Sequence, residues 1–172
     1  MKLYEETISE KVVYEGNFFK LVNVDVTLPN GKVGNRDMIK HPGACAIIPF
    51  IDNDTIILIE QFRKAINSSL LEIPAGKLEK GEDIAVCAAR ELEEETGYIA
   101  DTIDYLGKIA LAPGYCDEYI HIYKATGLTL KEKHCDDDEF TIVKEFKLSD
   151  VKSMVKNGEI VDSKTICALA YL

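Results

Sequence analysis

The sequence predicts a mixed α/β domain, an α+β sandwich in which a central mixed sheet is packed against helices. Three observations lead to this fold class. Apolar residues alternate with a period of about two in the first part of the chain, which is typical of strands. Residues 82–96 change to the helical period of about 3.6. Helix signals return only near the C-terminus, so the order is strands, helix, strands and helices, which excludes a regular βαβ repeat.

The first three predicted strands are residues 11–14, 19–28 and 33–40. The second alternates cleanly and places four apolar side chains on one face: Val22, Val24, Val26 and Leu28. Pro29, Asn30 and Gly31 separate the last two strands and indicate a hairpin turn. The sequence therefore predicts an antiparallel strand extension at the N-terminus.

Two apolar runs follow, at residues 44–50 and 55–60, with the turn residues Asp52, Asn53 and Asp54 between them. Their β-branched residues predict adjacent strands with a buried face. Further strands are expected at residues 119–125 and 141–146.

Three helices are predicted. The first has Glu82 at its start, where the helix dipole favours a carboxylate, and Gly97 just after its end. In the tail, one helix should begin with Ser149 as N-cap and end at Gly158, and another should begin near Asp162 or Ser163.

Composition narrows the class of protein. The 30 acidic residues exceed the 20 basic ones, and the net charge of −10 argues against a nucleic-acid partner. No apolar run approaches the roughly 18 residues of a membrane span, and residues 1–16 lack a signal-peptide core, so we expect a cytoplasmic protein without a membrane partner. The five scattered cysteines contain no C-x-x-C pair, which favours reduced thiols over disulfides or a zinc site.

The central predicted helix carries an unusual acidic patch. Glu91, Glu94 and Glu95 are separated by three or four positions, so their carboxylates share one side of the helix. Like charges at this spacing destabilise a helix unless a cation compensates for them, and hard divalent cations prefer oxygen ligands. Arg90 could orient the carboxylates by a forked hydrogen bond. The alternative is an ordinary solvated acidic face.

The segment GKLEKGEDIAVCAARELEEETGY resembles the signature box of the Nudix hydrolase family. Its nine matching positions are Gly76, Glu82, Arg90, Glu91, Leu92, Glu94, Glu95, Gly97 and Tyr98. Tyr98 is the one departure, because an aliphatic residue is more usual there. The resemblance implies the Nudix fold and hydrolysis of a diphosphate linked to another moiety.

Nearly the full length also resembles the ADP-ribose pyrophosphatase branch of that family. The similar segments are LPNGKV, HPGACAIIPF, IEQFRKAIN, LEIPAGKLEKGED, APGYCDE with Pro113, DDDEF and IVDSKTICAL. This resemblance implies Mg²⁺-dependent hydrolysis of ADP-ribose to AMP and ribose 5-phosphate, with Mn²⁺ as an alternative ion. Other nucleoside diphosphate hexoses, a nucleoside triphosphate, and a non-catalytic nucleotide-sugar sensor are the competing functions.

The resemblance also assigns roles to residues of the box and of a later loop. It implies that Glu91, Glu95 and the carbonyl of Ala75 are metal ligands, and that Glu94 is a further ligand or polarises bound water. It places the catalytic base before a late strand, where Glu139 is favoured and Asp137 is the alternative.

Substrate-binding residues are expected outside the box. Arg63 could bind the diphosphate bidentately, or else form a salt bridge, for example with Glu60. Arg36 and Phe18 or Phe19 are expected to hold the adenine between them. The three histidines receive no role, and Cys87 is interpreted as a packing residue.

We expect two parts, a strand extension at residues 1–40 and a Nudix domain at residues 41–172. A small strand unit buries little apolar surface by itself. In the resembling family such a segment commonly packs on the partner subunit and closes its adenine pocket, so a homodimer is expected.

Overall fold

The computed structural model describes residues 2–133 and 139–172. The chain forms two compact units, one of residues 1–43 with 110–119 and one of residues 44–109 with 120–172. No helix among the described residues is long and apolar enough to cross a membrane.

The first unit is built on an antiparallel sheet of β1 (Glu6–Glu15), β2 (Lys20–Thr27) and β3 (Val33–Lys40), with β2 in the centre. Val22, Val24 and Val26 are buried on one face of β2, as the alternation predicted. The hairpin turn is also confirmed: Gly31 has a φ of 79°, and its N–H donates to the Leu28 carbonyl at 2.8 Å. The strand β1 is longer than predicted.

The remaining elements follow in chain order. They are β4 (Ala44–Pro49), β5 (Thr55–Arg63), β6 (Ser68–Glu72), β7 (Ala75–Lys77), α1 (Ile84–Thr96), β8 (Tyr98–Ala110), β9 (Tyr119–Leu130), β10 (Thr141–Lys147), α2 (Leu148–Asn157) and α3 (Ser163–Ala168). A short 3₁₀ turn, Leu169–Tyr171, ends the chain.

Two sheets organise the second unit. One is mixed, with the order β7-β4-β9-β8, and within it β4 runs parallel to β9 and antiparallel to β7. The other is antiparallel, with the order β10-β5-β6. The expectation that the strands at residues 44–50 and 55–60 are adjacent in one sheet was wrong, because β4 and β5 lie in different sheets. An isolated bridge joins Phe50, just after β4, to Ile56 of β5. β4 is buried along its whole length and β5 over its first five residues, so neither apolar run carries a signal of which strand it pairs with.

Alternate residues of β4 enter two different cores. Ala46 and Ile48 pack in a cluster that includes residues of β5, β9, α2 and α3. Cys45 and Ile47 pack in a second cluster with Ala88 and other residues of α1. The helix α1 is therefore fixed against one face of the mixed sheet, which gives the α/β sandwich that the sequence predicted.

Some helix boundaries differ from expectation. Helix α1 begins at Ile84 with Asp83 as N-cap, so Glu82 precedes the helix. Helix α2 has Lys147 as N-cap position and no side-chain cap bond, and Ser149 lies inside the helix. Asp162 is the N-cap of α3, as expected. The strands β6, β7 and β8 were not predicted.

Candidate active site

Helix α1 holds the acidic residues in fixed positions because both of its ends are capped. The Asp83 carboxylate accepts hydrogen bonds from the N–H groups of Ala85 and Val86, at 2.9 and 3.3 Å. At the other end Gly97 adopts the left-handed conformation, with φ 77°, and its N–H donates to the Glu93 carbonyl at 2.8 Å. The predicted end of the helix is confirmed.

Arg90 connects three of the carboxylates around this helix. Its Nε and Nη2 bind the two oxygens of Glu82, at 2.9 and 3.0 Å. Its Nη1 binds both Glu91 Oε1 and Glu94 Oε2 at 2.8 Å. The hydrogen bond from Arg90 lowers the pKa of Glu82 to about 2, so Glu82 is ionised at neutral pH. Arg90 thus fixes the direction of the carboxylates on its own helix turn.

The short strand β7 lies directly against two of the predicted metal ligands. The Ala75 N–H donates to Glu95 Oε2 at 2.8 Å. A Cβ atom on Gly76 would lie 1.8 Å from Glu91 Oε1, so the Glu91 carboxylate occupies the space that a side chain at position 76 would need. The structure therefore brings Ala75, Glu91 and Glu95 together, and it explains why glycine stands at position 76.

Both of these carboxylates are buried. Glu91 is 8% exposed and Glu95 is 1% exposed. Burial raises the pKa of Glu91 to about 7, although the charge of Arg90 opposes the shift. Burial raises the pKa of Glu95 to about 8; the charges of Glu91 and Glu139 add to the shift, and the Ala75 hydrogen bond and the charge of Lys164 oppose it. A further cation at this place would favour the ionised carboxylates.

These residues fit a divalent cation by their chemistry. They offer buried carboxylate oxygens and backbone carbonyls, which are the ligands that hard divalent cations prefer. Within the described ranges, 2–133 and 139–172, no three His, Cys, Asp or Glu side chains already converge as a ligand group. The hydrogen bonds from Arg90 and Ala75 hold oxygens of Glu91, Glu94 and Glu95 in this structure.

The predicted base, Glu139, lies near this buried pair. Its charge raises the pKa of both Glu91 and Glu95, in addition to the larger effect of burial. Glu139 lines a cavity of about 430 Å³ together with Lys133 and Thr141, among others. The alternative base, Asp137, lies outside the described residues.

Lys133 and Thr141 flank the segment that carries Glu139. The Lys133 ammonium donates to both the carbonyl and the hydroxyl oxygen of Thr141, each at 2.6 Å. The Thr141 hydroxyl donates in turn to the Glu95 carbonyl at 3.1 Å. Strand β10 is thereby fastened to the C-terminal end of α1, close to the predicted metal ligands. The sequence analysis assigned no role to Lys133.

Arg63 pairs with a glutamate that the sequence analysis did not single out. Its Nε and Nη2 donate to the two oxygens of Glu72, at 2.8 and 2.6 Å. The suggested partner Glu60 instead pairs with Lys144. Glu72 is 1% exposed, whereas the side chain of Arg63 is 39% exposed. Arg63 is therefore held from the buried side and is the part of the pair that solvent reaches.

A buried lysine from the C-terminal segment binds the same glutamate. The Lys164 ammonium donates to Glu72 Oε2, and it lies 3.2 Å from Asp162 Oδ1. Burial alone would raise the pKa of Glu72, but the hydrogen bonds and charges of Arg63 and Lys164 bring it below its ordinary value. Glu72 is thus an ionised buried carboxylate between two cations. We call Arg63, Glu72 and Lys164 the buried charge triad.

The same segment also holds the backbone in front of β7. The Thr165 hydroxyl accepts a hydrogen bond from the Ile73 N–H at 2.9 Å and donates to Asp162 at 2.6 Å. Thr165 is fully buried. Ile73 lies two residues before Ala75, so α3 anchors the strand that contacts the acidic pair. The sequence analysis did not single out Glu72, Lys164 or Thr165. Their contacts join residues 92 positions apart, and no local sequence pattern indicates them.

The three predicted adenine-binding residues lie in the first unit, but only two are neighbours. Phe18 and Phe19 have ring centroids 5.2 Å apart in an edge-on contact, and Phe18 meets His41 in the same way at 5.6 Å. These rings line a cavity of about 310 Å³. Arg36 is instead bound by Glu5, through Nη2 at 2.5 Å and Nε at 3.1 Å.

Comparison with known proteins places the chain in a family. The NUDIX domain matches residues 40–169. A methanol dehydrogenase activator of Bacillus methanolicus is 46% identical over 99% of this chain and 94% of its own length. An ADP-ribose pyrophosphatase of Bacillus subtilis (strain 168) is 42% identical over 99% of this chain and 93% of its own length. A GDP-mannose pyrophosphatase of Citrobacter koseri is 32% identical over 96% of this chain and 94% of its own length.

A crystal structure of an ADP compounds hydrolase has the same fold. It superposes with a TM-score of 0.86 and covers 99% of this chain and 94% of its own, at 22% sequence identity. The matching domain, the sequence relatives and the shared fold agree with the box helix and its buried carboxylates. The chain therefore belongs to the Nudix hydrolases, in the branch that contains the ADP-ribose pyrophosphatases.

Proposed function

We propose that this enzyme hydrolyses the diphosphate bond of ADP-ribose, giving AMP and ribose 5-phosphate, with Mg²⁺ as cofactor and Mn²⁺ as the alternative. The observation that carries the proposal is the buried pair Glu91 and Glu95, with the charge of Glu139 acting on both. The 42% identity to an ADP-ribose pyrophosphatase over 99% of this chain supports the choice of substrate.

Glu91, Glu95 and the Ala75 carbonyl are the residues that would hold the cation, with Glu94 as a further ligand or as a group that polarises water. A bound divalent cation supplies charge neutralisation of the diphosphate and lowers the pKa of water. Arg90 keeps Glu91 and Glu94 oriented, because its guanidinium binds both carboxylates at 2.8 Å.

Glu139 acts in this proposal as the general base that takes a proton from the attacking water. Its place beside the buried pair supports this role. Asp137 is the alternative base. Arg63 binds the diphosphate, and its fork to Glu72 fixes the guanidinium before substrate arrives. Such preorganisation reduces the entropy lost on binding.

Phe18, Phe19 and Arg36 are proposed to bind the nucleoside end of the substrate. The cavity beside the two phenylalanine rings supports a stacking role for them. Arg36 would have to exchange its contact with Glu5 for the base. We further propose that the extension of residues 1–40 acts within a homodimer, while residues 41–172 form the hydrolase domain.

A second substrate class uses the same chemistry on a nucleoside diphosphate hexose. The identity of 32% to a GDP-mannose pyrophosphatase over 96% of this chain favours this alternative over a nucleoside triphosphate. A sensor without activity would be expected to lose its metal-binding carboxylates, and this chain retains Glu91, Glu94 and Glu95.

The test is AMP release from a panel of substrates with and without Mg²⁺. The panel contains ADP-ribose, ADP-glucose, GDP-mannose and a nucleoside triphosphate, with release of the matching nucleotide followed for each. We expect ADP-ribose to give the highest kcat/KM, and Glu95→Gln to lose most of the turnover with an unchanged circular dichroism spectrum. A higher kcat/KM for GDP-mannose than for ADP-ribose would show that the substrate is a nucleoside diphosphate hexose. Full activity without divalent cations, or in Glu95→Gln, would refute the proposed mechanism.

A further inference from the structure

The buried charge triad joins Arg63, which solvent reaches, to a lysine that solvent hardly reaches. Lys164 is 8% exposed and Glu72 is 1% exposed, so the interaction between them is weakly screened. A buried ion pair rarely adds much net stability, because desolvation offsets the attraction. The buried pair of Glu72 and Lys164 next to Arg63 therefore needs an explanation other than a contribution to stability.

The charges of the triad provide that reason. Glu72 offers one negative charge to two cations, Arg63 and Lys164. With Lys164 in place, Glu72 is shared and Arg63 keeps part of its positive charge for an anion. Without Lys164, Glu72 would neutralise Arg63 alone. Asp162 does not cancel Lys164 fully, because its other oxygen is taken by the N–H and hydroxyl of Thr165.

Geometry connects Lys164 to Arg63 through a shared carboxylate, that of Glu72. Its ammonium donates to Glu72 Oε2, the same oxygen that accepts a hydrogen bond from Arg63 Nη2 at 2.6 Å. The fork to Glu72 uses Nε and Nη2 of Arg63 and leaves Nη1 outside it. A guanidinium held on one edge can present its other edge to a diphosphate.

We propose that Lys164 is a positioning residue for diphosphate binding: through Glu72 it sets the orientation and effective charge of Arg63. The inference deepens the proposed function and rests on the diphosphate role of Arg63. It makes the C-terminal segment, outside the Nudix box, a determinant of KM.

The test compares the wild type with five variants in steady-state kinetics with ADP-ribose and in calorimetric titration with inorganic pyrophosphate. The variants are Lys164→Met, Arg63→Met, the double variant of both, Glu72→Gln with Lys164→Met, and the control Lys144→Met. Lys144 is a suitable control because it also pairs with a glutamate, Glu60, next to the same strand β5.

We expect Lys164→Met to raise KM and weaken pyrophosphate binding about tenfold, with kcat changed less than about threefold. Adding Lys164→Met to Arg63→Met should cause no further loss, because Lys164 acts through Arg63. Removing both charges in Glu72→Gln with Lys164→Met should bring KM back to within about threefold of wild type. Lys144→Met should behave as wild type. A merely structural lysine would not give this pattern.

Three results would overturn the proposal: an unchanged KM in folded Lys164→Met, additive losses with Arg63→Met, or no recovery in the charge-neutral double variant. If Lys164→Met does not fold, the double variant Glu72→Gln with Lys164→Met decides alone, since it removes the buried Glu72 charge together with that of Lys164. If Arg63→Met binds pyrophosphate as tightly as the wild type, Arg63 does not bind the diphosphate and the proposal fails. If the wild type does not hydrolyse ADP-ribose, the proposed function fails, and the pyrophosphate titration still tests the triad.

Discussion

At the scale of single residues, the site depends on the surroundings of each carboxylate more than on the number of carboxylates. Arg90 binds both oxygens of Glu82 and lowers the pKa of this carboxylate to about 2. Glu91 and Glu95, on the same helix, are buried, and burial raises their pKa to about 7 and about 8. Glutamates in and just before one helix thus have different pKa values, and each difference has an identifiable cause, an arginine partner for Glu82 and burial for Glu91 and Glu95.

Glu139→Gln tests the proposed base. The substitution keeps the shape of the side chain and removes its ability to accept a proton, so we expect kcat to fall by roughly 10²–10⁴ with little change in KM. Initial rates at saturating Mg²⁺ measure this effect. Glu132→Gln is the control, because it removes an exposed carboxylate upstream of the same segment. If kcat falls in Asp137→Asn and not in Glu139→Gln, Asp137 is the base. If kcat falls in neither variant, Glu94 becomes the candidate base.

Gly76→Ala tests the space that Glu91 occupies. The added Cβ would lie 1.8 Å from Glu91 Oε1, so the carboxylate must leave its place against β7. We expect a loss of about 1–3 kcal/mol in the free energy of unfolding, as for other overpacked sites, and a higher Mg²⁺ requirement. Urea denaturation and a Mg²⁺ titration of activity measure the two effects. Gly114→Ala is the matched control, since nothing lies within 4 Å of its added Cβ; equal behaviour of the two variants would contradict the prediction.

At the scale of elements, the two short segments β7 and α3 hold the site as firmly as the long helix does. Strand β7 has three residues and α3 has six. The backbone of β7 contacts Glu91 and Glu95. Helix α3 holds the residues just before β7, because its Thr165 hydroxyl binds the Ile73 N–H. Elements this short are set by their tertiary contacts, because their own hydrogen bonds are too few to stabilise them alone.

Thr165→Val tests the link between α3 and the segment before β7. Valine keeps the shape of threonine but leaves the buried Ile73 N–H without its acceptor. We expect a loss of about 1–3 kcal/mol in the free energy of unfolding, measured by urea denaturation. Ser153→Ala is the control, because that hydroxyl binds only a carbonyl on the exposed side of α2. A wild-type midpoint for Thr165→Val would show that the bond does not anchor the segment.

Local patterns in the sequence predicted those elements whose apolar residues are periodic. The alternation in β2, the capping glycine of α1 and the Nudix box all concern residues close together in the chain, and each was confirmed. Strand β8 was missed because its residues are mostly half-buried or exposed and show no clean alternation. The pairing of β4 could not be predicted, since a strand buried on both faces has no polar side to mark its neighbours.

The sequence predicted which residues come together where they lie on the box helix or on the strand just before it. Ala75, Glu91 and Glu95 meet, because β7 returns to α1 after a short loop. Glu72 and Lys164 are 92 positions apart, and nothing in either local sequence indicates that they bind each other. The pairing of Arg63 with Glu72, in place of Glu60, likewise follows from the hairpin of β5 and β6, which was not predicted.

At the scale of the whole molecule, the proposed homodimer depends on the apolar side chains that β1 leaves exposed. Ile8 is 54% exposed, Val12 is 46% exposed and Tyr14 is 57% exposed. Apolar groups on one strand favour burial against another surface.

Light scattering at micromolar concentration tests this prediction. We expect a mass about twice the 19.2 kDa of the chain, because the strands of residues 1–40 would bury their apolar side chains between two copies. Val12→Glu should shift the protein towards monomer, whereas Val161→Glu, at a residue 57% exposed in the other unit, should not. A mass near that of one chain for the wild type would rule out a stable dimer.

The contact between Thr165 and Ile73 also bears on how the enzyme is made. Thr165 follows the Nudix box in the chain, so a ribosome has made every residue of the box before it adds Thr165. Until that residue emerges, the Ile73 N–H lacks its partner and Glu72 lacks Lys164. A nascent or prematurely terminated chain therefore contains every residue of the box without a finished site. Synthesis of α3 therefore completes the contacts behind β7, and we expect chains that stop before Thr165 to hydrolyse little substrate.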